Sequence, residues 1–144
     1  MMDDKIDLYN KLYEIYKSHN QNKLNIGFPT FDIDEKNQEK VERDYEEYEV
    51  YIETFYKIDS SLKNNIFLLS NELEECFIKI KLKKEKLNLM LDYEFREGII
   101  IDFEKENRDT EKFFVDETKN DFDTFFSSLQ NEIKQIIKNL ELNI

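Results

Sequence analysis

Residues that interrupt regular backbone are nearly missing from this chain: it holds two glycines, Gly27 and Gly98, and one proline, Pro29, in 144 residues. Glycine supplies left-handed backbone and proline ends helices and strands. A chain this poor in both is built from long regular elements with few tight turns. The length is that of one domain. Hydrophobic residues make up 40% of it and aromatics 14%, enough for a core despite 38% charged residues. No linker or internal repeat divides the chain, so one domain over 1–144 is expected.

Hydrophobic periodicity then assigns the elements. Over 3–19, Ile6, Tyr9, Leu12, Tyr13 and Tyr16 share one side of an amphipathic helix. Over 20–36, Leu24, Ile26 and Phe28 alternate before Pro29, and Phe31 and Ile33 after it, as in an edge strand or an ordered loop. Over 37–57, Val41, Tyr45, Tyr48, Ile52 and Phe55 mark a second helix. A third over 59–74 carries Leu62, Ile66, Leu69 and Leu73, with Asp59 as its cap.

From residue 76 the period changes to two. Cys76, Ile78, Ile80 and Leu82 alternate with Phe77 and lysines; Leu87, Leu89, Leu91, Tyr93 and Phe95 alternate with polar residues. This reads as a β-hairpin. Arg96-Glu97-Gly98 turns the chain into a third strand at Ile99–Phe103. Residues 104–119 read as irregular, and 120–142 as a helix with Phe122, Phe125, Phe126, Leu129, Ile133, Ile136, Ile137 and Leu140 in one stripe. The predicted class is α+β: a small antiparallel β-meander of three to four strands, with N-terminal helices and a long C-terminal helix on one face.

Net charge is −12. Such a surface repels phosphate backbones and anionic membranes and favours basic partners. All of the excess sits in two segments. Residues 32–54 hold ten acids against three bases, a net of −7, and residues 102–123 hold nine against four, a net of −5. On the second helix Glu42, Glu46, Glu49 and Glu53 form a stripe about a quarter turn from its apolar positions. Like charges at i,i+4 cost about 0.2–0.5 kcal/mol per pair. The candidate partner-binding residues are these four with Asp44, Glu47 and Tyr51, and in the second segment Asp102, Glu104, Glu106, Asp109 and Glu111. Aromatic anchors would supply area and carboxylates steering. A charge run on a helix is ordinarily its solvated face, and that plain reading stands beside the functional one.

Sites of reaction chemistry are not apparent in the residue inventory. His19 is the only histidine and reads as a surface residue at a helix end, which removes a triad or a histidine-rich metal site. Cys76 is the only cysteine, so no intramolecular disulfide forms; it reads as a small core hydrophobe. Asp32-Ile33-Asp34 opens like a calcium loop but has Asn37 in place of its glycine and Arg43 in place of its closing glutamate. Asp102, Glu104 and Glu106 could meet a divalent cation, but Lys105 lies on the wrong strand phase for a metal nuclease. Neither catalysis, a cofactor nor a metal is therefore expected. The acidic start, Met1 to Lys5, lacks the apolar run of a signal peptide, and no run is long enough to span a bilayer; a cytoplasmic location is expected.

Alanine and tryptophan are absent and arginine occurs three times among many Lys, Asn and Ile residues, usage that points to an AT-rich genome of a low-GC bacterium, phage or plasmid. Together these features lead to an acidic, immunity-type inhibitor that covers the active site of a basic toxin or nuclease. The alternative is a phage-type nucleic-acid mimic directed against a restriction or RNA-guided defence enzyme. A mimic calls for a double row of carboxylates on one long face, an immunity protein for one compact patch.

Overall fold

A computed structural model describes residues 2–26 and 33–142, with side chains over 3–26 and 46–141. The described residues form four α-helices and one 3-10 turn, and no strand. The helices are α1 (Met2–Leu24), α2 (Ile33–Leu62), α3 (Asn71–Arg96) and α4 (Phe103–Leu142), with the 3-10 turn at Ile66–Leu68 between α2 and α3. The protein is all-α, which overturns the expected α+β class and its meander.

The correction falls mainly on α3, which runs unbroken through both expected hairpin strands. The expected hairpin connection, Lys84-Glu85-Lys86, holds none of the residues that a tight turn favours, and lysine and glutamate are strong helix formers. The buried residues Leu73, Phe77, Ile80, Lys84 and Leu91 recur at helical spacing, with half-buried Leu87 completing the row. Ile78, Leu82, Leu89 and Tyr93 stand on the opposite side of the same helix and are exposed. Residues two apart in a helix are 200° apart, almost on opposite faces. A helix apolar on two opposite faces therefore reproduces the alternation of a strand.

Both ends of α3 are well defined. The Ser70 hydroxyl caps it by accepting from the Leu73 amide at 3.2 Å, and Glu72 and Glu74 suit the positive end of its dipole. At the other end the Gly98 amide donates to Phe95 and the Ile99 amide to Glu94, with Gly98 at φ 72°. This is a Schellman closure, whose left-handed residue favours glycine. The turn expected at Arg96-Glu97-Gly98 is present, but it joins helices. Ile99–Ile101 is a connection and not a strand, and 104–119 is regular helix. The expected helix over 59–74 is divided. Asp59 lies inside α2, and the chain turns at 63–65, where Asn64 takes φ 67°. Of the possible strand at 24–33, Leu24 ends α1, Asn25 and Ile26 turn, and residues 27–32 lie outside the described residues.

α1 packs antiparallel to α2, with His19 against Thr54 and Lys23 against Tyr51. α3 packs antiparallel to α4, as shown by Glu72 beside Ser128, Lys79 beside Asp121 and Phe95 beside Phe103. The core lies where α4 meets the other three helices. Phe114, Phe122, Phe125 and Leu129 are fully buried, joined by Tyr51, Phe55, Ile58, Phe77 and Leu12. In place of the absent tryptophan and alanine, aromatic rings pack edge to face, as in Tyr51 on Phe122 at 5.3 Å and Phe55 on Phe114 at 5.7 Å. Beyond Ile136 the apolar stripe of α4 leaves the core, and Ile137 and Leu140 are exposed.

Among the described residues the buried polar side chains His19, Thr54, Lys84 and Thr118 each make a hydrogen bond. Tyr9 and Ser70 donate to the two oxygens of Glu132, at 2.8 and 2.7 Å, tying α1, the start of α3 and α4 together. Burial and the Glu132 carboxylate push the Tyr9 hydroxyl up to about 12. Lys84 bonds Asn88 at 2.9 Å and lies over the rings of Tyr56 and Phe114.

Candidate partner-binding surface

Five of the expected site residues, Glu46, Glu47, Glu49, Tyr51 and Glu53, lie on the part of α2 whose side chains are described, and the helix presents them unequally. Its buried face is formed by Val50, Tyr51, Thr54, Phe55, Ile58 and Leu62. That face is rotated from the stripe expected at Val41, Tyr45, Tyr48 and Ile52, because Tyr51 points inward and Ile52 is only half-buried. Glu46, Glu49 and Glu53 then stand roughly 150° from the buried face, nearly opposite it, and all three are exposed. Glu46 and Glu49 border open solvent and not, as expected, the edge of the core, whereas Glu53 lines a shallow groove with Lys11 and Ile15 of α1. Glu53 is joined to Lys57 at 3.1 Å, one turn on. Glu42 and Asp44 lie outside the residues whose side chains are described.

Tyr51 is 2% exposed, so it is a core residue rather than a surface anchor. Its hydroxyl accepts a hydrogen bond from Lys23 at 3.1 Å, and its ring packs edge-on against His19. His19, expected at the surface, is 3% exposed. Its Nδ1 lies 2.7 Å from the Thr54 hydroxyl. Burial, aided by the nearby Lys23 charge, lowers its pKa to about 4, so the ring is neutral at physiological pH. The helical row Leu8, Leu12, Ile15 and His19 carried the signal for its burial.

Glu47 faces α4 and makes an ion pair with Lys119 at 2.9 Å. Partial burial disfavours the Lys119 charge, but the hydrogen bond it donates to Glu47 and the negative charges of Glu47 and Asp116 outweigh it and hold the ammonium above its ordinary value. Lys112 lies over the Tyr48 ring at 5.9 Å. The two acidic segments therefore meet, but their seam is internally compensated.

Beyond the seam, Asp109, Asp116 and Asp123 recur every seven residues on the exposed face of α4. Asp116 and Asp123 were not among the expected site residues, although the seven-residue spacing was readable. Asp102 is exposed and caps α4, accepting from the Lys105 amide at 3.1 Å. Glu104 is exposed; Glu106 and Glu111 are half-buried, and Glu111 accepts from Asn107 at 3.2 Å. The α2 row faces away from α4, so the two rows do not line one cleft.

Among the described residues no three His, Cys, Asp or Glu side chains gather as metal ligands. Cys76 is half-buried on α3 with its thiol 3.2 Å from the Asp121 carbonyl, and burial pushes its pKa up, which suits an inert thiol. Among the same residues no helix is long and apolar enough to cross a membrane. No protein-family model, no curated protein and no solved structure matches the chain.

Proposed function

We propose that this chain acts by binding and not by catalysis, as a cytoplasmic, immunity-type inhibitor that neutralises a basic toxin or nuclease by covering its active site. The observation that carries the reading is the row of Glu46, Glu49 and Glu53, exposed on the side of α2 away from α4, with Glu53 joined to Lys57 one turn on. Repulsion along such a row costs the helix a little, and lysine at one position would remove it. A basic partner gains from the row through steering and through charge pairs at its rim. The nucleic-acid-mimic reading has less support. It calls for two carboxylate rows along one face, whereas the α2 row stands on the side of its helix away from α4.

The test begins with a pull-down from the native host at low salt, followed by binding kinetics with the partner recovered. A basic protein should bind with an affinity that falls steeply as salt rises. Replacing Glu46, Glu49 and Glu53 together by Gln should slow association by about tenfold at low salt while the helical circular dichroism stays the same. If no basic partner is recovered, or if the affinity ignores salt, the reading fails. An unchanged association rate would remove the α2 row from the interface.

A further inference from the structure

A different surface, independent of the acidic rows, carries the strongest unexplained feature of the molecule. The outer face of α3 holds Ile78 (37% exposed), Leu82 (59%), Leu89 (67%) and Tyr93 (59%). Each lies close to 180° from the buried row of the same helix. Single exposed apolar residues on a helix are ordinary, but four aligned on one face are not. The spacing is four, seven and four, which reads the same from either end and is centred between Glu85 and Lys86.

We propose that this face is a two-fold interface through which two copies of the chain pair, their α3 helices antiparallel. A two-fold axis between Glu85 and Lys86 sets Ile78 level with the partner's Tyr93 and Leu82 level with the partner's Leu89. An isologous interface must be self-complementary in this way. Charge points to the same occupant. α3 carries six acids and six bases, so it is neutral in a chain of net −12. A basic partner has little to gain there, and α3 sets no net charge against a second copy. On one flank of the row the axis brings Arg96 within about one residue's rise of the partner's Glu74, and Asp92 within about two of the partner's Lys81. At the centre Glu85 and Lys86 lie on opposite flanks, so each stands within about one residue's rise of its own counterpart, a local repulsion that the interface must offset. Lys81 also pairs with its own Asp59 at 3.0 Å, which holds its side chain on that flank.

Sedimentation equilibrium of the full chain, at concentrations up to about 200 μM, should give twice the 17.6 kDa chain mass. Leu82→Asp with Leu89→Asp should weaken dimerisation by about a hundredfold or more, because each copy loses two buried leucines, while helical content is unchanged. Replacing Glu46, Glu49 and Glu53 by Gln should leave the dimer intact. Direction is read by oxidation in a Cys76→Ser background. Leu82→Cys mixed with Leu89→Cys should cross-link the two chains, and Leu82→Cys alone should not. A single-chain mass throughout overturns the proposal and assigns the row to another partner. A dimer that survives the double aspartate variant, or cross-linking by Leu82→Cys alone, overturns it as well.

Discussion

α3 and α4 pair along their lengths, yet they use apolar residues differently. On α4 the large apolar residues from Phe114 to Leu129 gather on one face, with Asp109, Asp116 and Asp123 nearly opposite. On α3 an inner row from Leu73 to Leu91 is matched by an outer row from Ile78 to Tyr93. The difference separates two tasks that hydrophobic residues perform. A stripe on one face specifies how a helix packs within its own chain. A second stripe adds nothing to that packing, and its physical use lies outside the chain.

The largest expected effect tests this division directly. Phe122 is fully buried against Tyr51 and Phe114. Phe122→Ala should cost about 3–5 kcal/mol of unfolding free energy, because it removes a ring and leaves a cavity among neighbours too rigid to close it. Leu89→Ala, of comparable hydrophobic character but on the outer row, should cost the single chain no more than about 0.5 kcal/mol. Urea denaturation at low concentration measures both. A loss of several kcal/mol at Leu89 would mean that the outer row packs within the chain, and would end the distinction.

The same contrast explains what was legible in the sequence. The C-terminal half of α4 and the core of α1 could be read because each has one apolar face at a spacing of three and four. The scarcity of glycine and proline, the turn at Gly98 and the acidic segments were also legible. α3 was not, because its inner and outer rows interleave two residues apart and imitate a pleated strand. The absence of turn chemistry at residues 84–86 was the contrary signal. Residues 104–112 looked irregular because their apolar content is low; they are helical as the continuation of a helix anchored further on by Phe114, Phe122 and Leu129. On α2 the period was right and the phase wrong. Apolar residues on several sides of that helix leave the sequence undecided about which aromatic turns inward, and contacts with His19 and Phe122 place Tyr51 there.

Continuity of α3 is open to a separate test. Glu85 is exposed at the middle of the helix, where a hairpin would place its turn. Glu85→Pro should cost about 3 kcal/mol, by removing a backbone donor and driving the ring against the carbonyl four residues before. In a hairpin connection the same proline would be nearly neutral. Thermal unfolding by circular dichroism distinguishes the two, and a variant as stable as the parent would restore the hairpin.

The smallest effect compares how the two helices begin. Ser70 caps α3 and Asp102 caps α4, each accepting from the amide three residues on. As caps alone they should contribute equally, about 1 kcal/mol. Ser70 does more, because its hydroxyl also donates to Glu132, and its backbone amide donates to the Tyr9 hydroxyl that bonds the same carboxylate. Removing that hydroxyl leaves a partly buried carboxylate oxygen short of a donor, and the penalty for this adds to the lost cap. Asp102 is exposed, and water replaces whatever it loses. Ser70→Ala should therefore cost about 2 kcal/mol and Asp102→Ala about 1 kcal/mol or less. Equal losses in urea denaturation would show that the Ser70–Glu132 bond contributes nothing beyond the cap, and that the start of α3 is held by its helix alone and not by its neighbours.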